Sequence, residues 1–296
     1  MARSYRYNKI ISALVCISAY CAAFFAAAAF LYLFRIENPV AAVFGADMAA
    51  TAAVFCFSVA FNNSSMYDPY WSVAPPSIAL YWAFTGKAGF DPRSITVIVL
   101  VAIWGGRLTY NWFRQWKGLM HEDWRYAEIR SKAGRWYWAA SLVGIHYFPT
   151  VIVFLACLPL YPVMTASGRG PGLLDAAGLV VTAGAIAIEA LADRRLHVFV
   201  RSRPRKGVVL STGLWAYSRH PNYFGEATFW WGLFLFSLAS GNIYWWTVPG
   251  PVAVTLMFLL ISIPMMEGHM RAKRPDYAAH QQRVPVFIPW FPKKKS

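Results

Sequence analysis

Eight apolar runs follow one another along the chain, at approximately 10–34, 41–61, 73–86, 94–113, 137–161, 173–192, 223–239 and 244–265. A bilayer core about 30 Å thick takes about 20 helical residues to cross. So many runs near that length restrict the chain to an all-α fold, a polytopic transmembrane helix bundle. Seven are read as spans. The run from Val73 is short and carries Pro75 and Pro76; as an eighth, it is expected to be broken, tilted or re-entrant, with protein or water satisfying its freed carbonyls. Composition agrees, because 58% of the residues are hydrophobic, only 14% are charged and the mean hydropathy is +0.39. A soluble domain has about a quarter of its residues charged, so a large soluble helical protein does not fit.

No internal repeat, long flexible linker or soluble domain interrupts this pattern, and residues 1–296 read as one integral membrane domain. With all eight runs crossing, the side of the N-terminus carries Arg3, Arg6 and Lys9, then net charges of +3 over 114–136, +6 over 193–222 and +5 over 266–296. The loop at 62–72, charged only at Asp68, lacks that excess. The opposite loops set Arg35 against Glu37 and Lys87 and Arg93 against Asp91, and add only Arg169. The positive-inside rule then places both termini in the cytoplasm; removing the third span would move the N-terminus outside. The first run, too long for a signal-peptide core, is a retained helix.

Cys16, Cys21, Cys56 and Cys157 all lie in apolar runs without metal-site spacing, and are read as small core or lipid-facing residues. No metal is expected. The formal charge of +15 borders the spans, where topology and anionic lipid account for most of it; a large anionic cofactor at the converging loops would account for more, and nucleic acid is not implied. The block 114–136, rich in Trp, Tyr and charge, suits an interfacial helix.

The polar run YSRHPNYFGE from Tyr217 stands between two apolar stretches. His220-Pro221 restricts the backbone just before a span, Gly225 allows close backbone approach, and Glu226 brings an ionisable group beside Trp230 and Trp231. Taken singly, Arg219 is a snorkelling charge, Asn222 a helix cap and Tyr223 part of an aromatic belt. The Arg-His-Pro-Asn-Tyr-x-Gly-Glu cluster as a whole is better read as a site. A second polar block, Glu267, His269, Arg271, Lys273, Arg274 and Tyr277, follows the last span, and its Glu267 and Arg271, one helical turn apart, either face a cofactor mouth or form an interfacial ion pair.

SRHPNYFGE with the preceding GLW, then Glu267 and the Tyr277 block ending VFIPWFP, resembles the C-terminal region of the steroid 5-alpha-reductase-like membrane family, in particular its bacterial branch. DPYWSVAPP from Asp68, GGRLTYNWF from Gly105, EDWRYAEIR from Glu122 and the Glu189–Asp193 pair extend the resemblance over roughly 65–292, with its cofactor-binding part concentrated in 189–292. It implies a membrane reductase that uses NADPH to saturate a carbon–carbon double bond conjugated to a ketone, its dinucleotide held among C-terminal helices and loops. No GxGxxG occurs, so a Rossmann fingerprint has no part in the assignment. The resemblance carries Asp193, Asn222 and Glu226 to positions near nicotinamide and ribose. It places Arg219, His220 and Tyr223 in the same motif, and Glu267, Arg271 and Tyr277 at the cofactor mouth. Arg201 and Arg203, with Arg194, Arg195, Arg205 and Lys206, become candidate phosphate ligands, because guanidinium forks match phosphate oxygens.

Reduction further needs a donor at the carbonyl and an apolar slot. Mammalian-type steroid reductases use an N-terminal glutamate and a tyrosine for this; here Asp68 with Tyr67 or Tyr70 is the substitute, Tyr110 a further candidate, and Asp68 can instead cap the following segment. The expected partners are membrane lipids and a hydrophobic substrate, a steroid or another lipid enone, with no obligate protein partner. The family branch favours a bacterial inner membrane, the cofactor site facing the cytoplasm. Isoprenylcysteine carboxyl methyltransferases share the RHPxYxG pattern with a following glutamate and tyrosine block, which keeps an S-adenosylmethionine-dependent methyltransferase open. A non-enzymatic lipid-binding protein is the third reading.

Overall fold

The computed structural model describes residues 9–86, 89–166, 170–202, 207–274 and 277–293. The described residues are all-helical, with no strand. By contact the described residues within 1–84 and 101–161 form unit 1, and those within 85–100 and 162–296 form unit 2.

Unit 1 opens with α1 (Lys9–Leu33) and α2 (Pro39–Ala60), which pack along each other. Asn38 starts α2: its side chain accepts from Val40 N at 2.9 Å and Ala41 N at 3.0 Å, and Pro39 takes the first position, where a missing N–H costs nothing. A 3₁₀ turn at Ser64–Tyr67 leads into α3 (Tyr70–Thr85). The two prolines do not break α3, which runs for 16 residues through both. Pro76 deprives the Ser72 carbonyl of its helical partner, and Gly105 of α4 (Pro92–Gln115) covers that oxygen so closely that a Cβ there would collide with it. The Ser72 hydroxyl also meets Thr109 of α4 at 2.8 Å.

The block expected at the interface carries α5 (Trp124–Ala133), capped by Asp123, whose carboxylate accepts from Arg125 N at 2.9 Å. A short turn at 134–136 passes into α6 (Tyr137–Ala140), a π-helical stretch at Ser141–Tyr147 and α7 (Phe148–Cys157), one helical run over Trp124–Cys157. Its widened π turn is the kind of irregularity that helices keep at functional positions.

Unit 2 contains α8 (Leu160–Thr165) from Pro162 on, α9 (Leu173–Arg201) and α10 (Pro221–Ser240). After a 3₁₀ stretch at Asn242–Thr247 come α11 (Pro249–Met257), a π turn at Phe258–Ser262, α12 (Ile263–Lys273) and α13 (Tyr277–Arg283). Helices α9 and α10 lie against each other along their length. Gly225 permits it, since a Cβ there would come within 2.9 Å of Glu189 Cβ and 3.0 Å of the Ala185 carbonyl, the small-residue device by which helices approach in a bilayer. Arg93, expected as a loop charge, is instead buried in the first turn of α4, with Nε 2.6 Å and Nη2 3.0 Å from the Asp175 carboxylate.

Among the described residues, six helices are long and apolar enough to cross a membrane: Lys9–Leu33, Pro39–Ala60, Pro92–Gln115, Trp124–Cys157, Leu173–Arg201 and Ile243–Lys273. They make this an all-α integral membrane protein. The seventh expected span, α10, is a 20-residue helix outside that set, its first turns holding Asn222 and Glu226; α3 is outside it as well.

Candidate functional site

The expected residues divide between the units. In unit 2 the segment before α10 is pinned by the chain's return near its end. Arg219 N donates to Pro285 O at 2.9 Å, Ser218 Oγ to Phe287 O at 2.7 Å, and Trp290 N to Tyr217 O at 2.9 Å. The Ser218 hydroxyl also accepts from His220 N at 3.1 Å, and Pro221 fixes the first turn of α10.

That anchoring brings both polar blocks onto one carboxylate. Arg219 Nε lies 2.8 Å from Glu267 Oε1 as an ion pair, with side chains only 11% and 9% exposed. His220 Nε2 is 3.3 Å from the same oxygen and Tyr277 Oη donates to it at 3.4 Å, while Gln281 Nε2 donates to Oε2 at 2.6 Å. Arg219 Nη1 also donates to the Gln281 carbonyl at 2.7 Å. The cation paired with Glu267 is therefore Arg219; Arg271, one turn along α12, is exposed. Burial and the neighbouring Glu267 push the Tyr277 phenol above its ordinary range, whereas burial, reinforced by Arg219 and Arg283, pulls the His280 imidazole down. Both side chains thus favour their neutral forms beside the hub.

The aromatic residues of the motif line up beside it. His220 stacks on Tyr223 at 5.4 Å, and Tyr223 on Phe258 of the second π turn at 4.7 Å. Glu226, one turn into α10, is buried and accepts from Trp230 Nε1 at 3.0 Å. Asn222 and Asp193 are half-buried, while Arg194, Arg195 and Arg201 stand exposed on the last turns of α9. Arg203, Arg205 and Lys206 lie outside the described residues.

In unit 1 the expected donors part company. Asp68 pairs with neither Tyr67 nor Tyr70; its Oδ1 accepts from Tyr126 Oη at 2.5 Å. Burial pushes its carboxyl up to about 6, against the pull of Arg125 and the Tyr126 hydroxyl. Tyr110 is 61% exposed, an outward-facing ring on an apolar helix. Tyr67 and Tyr70 are buried and stacked at 5.0 Å. The Tyr67 hydroxyl meets Thr150 Oγ1 at 2.6 Å, and Tyr70 Oη donates to Asp47 Oδ1 at 2.5 Å. Asp47 Oδ2 is buried without a hydrogen-bond partner.

Asp47 is the functional candidate that sequence reasoning passed over. It is the lone acidic residue of its apolar run, a signal in itself, since a carboxylate within a span is costly and needs a purpose or a partner. His146, fully buried and the sole histidine in its run, carries the same signal; Gln281 carried none. The four cysteines are free thiols, and among the described residues no three His, Cys, Asp or Glu side chains gather as metal ligands.

Residues 54–284 match the family described as "Protein of unknown function (DUF1295)". The chain belongs to that family. It is also similar to a Schizosaccharomyces pombe protein named "Uncharacterized protein C594.04c", at 28% identity over 259 residues, covering 78% of this chain and 74% of that protein. No solved structure matches it.

Proposed function

We propose that this member of the DUF1295 family is a membrane-embedded, NADPH-dependent reductase that delivers hydride to the activated double bond of a steroid-like or other lipid enone. The observation that carries the reading is the buried Tyr70–Asp47 pair of unit 1. A phenol held 2.5 Å from one carboxyl oxygen, with the other oxygen unpartnered, suits a single carbonyl acceptor in an apolar setting. In its acid form Asp47 donates from Oδ2 to the ketone oxygen, Tyr70 orients it through Oδ1, and the developing enolate is stabilised by the buried donor. This pair replaces Asp68 as the donor.

The residues of unit 2 fit the cofactor by the chemistry of their donors. Exposed Arg194, Arg195 and Arg201 suit phosphates, and Asp193, Asn222 and Glu226 suit ribose hydroxyls and a carboxamide. NADPH, when bound, supplies the hydride. The Arg219–Glu267 hub, with His220, Tyr277 and Gln281, holds the motif in a fixed conformation, the Glu267 carboxylate balancing the Arg219 charge. With α3 and α10 crossing as well, the basic loops are assigned to the cytoplasmic face of a bacterial inner membrane.

Equilibrium titration of the purified protein with NADPH, NADH and S-adenosylmethionine at fixed ionic strength tests the reading. Selective, saturable NADPH binding is expected, followed by NADPH oxidation with a 3-oxo-4-ene steroid or another lipid enone. Binding of S-adenosylmethionine alone would turn the site toward methyl transfer, and binding of neither would leave a lipid-binding scaffold; each result overturns the reductase.

A further inference from the structure

Each reductive turnover consumes a proton at a donor that lies inside the bilayer portion of unit 1, so a donor buried there must be refilled. Helix α2 turns one polar face inward, with Asp47, Thr51 and Ser58 all buried. Their spacing of four and seven residues places them on a single stripe. Each finds a polar partner: Asp47 meets Tyr70 on α3, Thr51 meets Thr150 on α7 at 2.8 Å, and Ser58 meets His146 Nε2 in the π turn at 3.1 Å.

From His146 the chain of polar atoms continues outward. Its Nδ1 lies 3.0 Å from the Ser141 carbonyl and 3.4 Å from the Ser141 hydroxyl. Ser141 Oγ meets Ser64 Oγ at 2.9 Å, Ser64 Oγ meets Tyr137 Oη at 2.6 Å, and Tyr137 Oη donates to Glu122 Oε1 at 3.0 Å. Glu122 lies in the hydrophilic block with Arg130 at 3.1 Å, and Arg130 reaches the exposed Asn62. Interhelical hydrogen bonds of this kind ordinarily serve as glue. Glue needs only pairs, and this is an unbroken series of exchangeable protons from a partly exposed carboxylate to a fully buried imidazole.

We propose that Glu122, Tyr137, Ser64, Ser141 and His146 form a proton route from the aqueous side into unit 1, serving the donor assigned above; it rests on that assignment. In each turnover the enone gains hydride from NADPH at its β carbon and a proton from Asp47 at oxygen, and the resulting enol reverts to the saturated ketone by moving that proton to the α carbon. The carboxylate left behind regains its proton at Oδ1 from Tyr70 and turns to present it from Oδ2; Tyr70 is recharged by the neighbouring Thr51, which is hydrogen-bonded through Thr150 to Tyr67 in a second series. His146 supplies that series and is itself restored from water through Glu122. The junction between the two series is a packing contact, the Tyr67 ring against the imidazole at 4.9 Å, with Phe55 meeting the imidazole edge-on at 5.1 Å. There the imidazole must turn to pass its proton. Ser58 suits the two states: its one proton goes either to the Val54 carbonyl or to a neutral His146 Nε2.

The test needs no turnover. Protein labelled with ¹⁵N-histidine in proteoliposomes is moved to D₂O, and exchange of the His146 ring N–H, identified by its loss in H146Q, is followed by solid-state NMR. Rapid exchange is expected in the unaltered protein. S141A keeps the carbonyl contact to Nδ1 but removes the hydroxyl link, and Y137F keeps the ring under Arg130 but removes its link. Both should slow exchange on the order of a hundredfold, because exchange must then await local opening of buried helices. Equal rates in all three proteins, fast or slow, would overturn the route. The route and the reductase fail separately: loss of NADPH binding in the titration above speaks against the reductase while the exchange rates still stand or fall on their own.

Discussion

Asp68 makes a prediction whose size follows from its surroundings. Its carboxyl, ordinarily near 3.8, is pushed up to about 6, burial outweighing the pull of Arg125 and Tyr126. The folded protein therefore holds this proton more tightly than the unfolded chain. A raised acid of this kind contributes stability that is complete below its unfolded value and is lost as pH rises through its folded value. At about 1.4 kcal/mol per pH unit, the Asp68 contribution amounts to about 3 kcal/mol between pH 4 and 7. D68N keeps an acceptor for the Tyr126 hydroxyl and removes the titration. Equilibrium unfolding of both proteins in mixed micelles across pH 4–8 isolates the group, because other titrations cancel in the difference. D68N should gain on the unaltered protein by up to about 3 kcal/mol as pH rises through 6. A difference that stays flat over that range would refute the reasoning. Y126F supplies the internal control: losing a hydrogen bond that favours the carboxylate moves the same transition to higher pH.

Three further outcomes follow from other contacts. R219A leaves Glu267 buried without its cation and should cost about 3–5 kcal/mol in the same unfolding assay, whereas R219M/E267L together should cost far less than the two single changes combined. G225L drives a side chain into Glu189 and the Ala185 carbonyl and should destabilise by about 1–3 kcal/mol, with A227L on the same helix as a comparison for overpacking without a backbone collision. D47N should leave NADPH affinity unchanged while lowering turnover by about 10²-fold or more, in line with loss of a general acid; preserved turnover on a reducible enone would remove Asp47 from the mechanism.

Much of the site was legible because costly residues advertise themselves. The SRHPNYFGE run and the block from Glu267 both interrupt apolar sequence, and both meet at one carboxylate. Which arginine completes the pair was not legible: Arg271 has the right helical spacing, yet it points outward, and Arg219 reaches Glu267 because the chain near Pro285 clamps the backbone before α10. Asp68 showed the converse error. Its sequence neighbours Tyr67 and Tyr70 turn toward Thr150 and Asp47, while its own partner, Tyr126, comes from a block 58 residues away.

The sequence by itself determined the solvent and the secondary structure, since span-length apolar runs admit helices and little else inside a bilayer. It also marked where ionisable groups break that pattern. Tertiary structure decided the pairings, because a lone carboxylate such as Asp47 states only that a partner is needed. Which phenol, hydroxyl or imidazole meets it depends on how helices far apart in sequence rotate and approach, through close contacts such as Gly105 on Ser72 and Gly225 on Glu189. Those contacts are fixed by packing of whole helix faces, and no single stretch of the chain contains them.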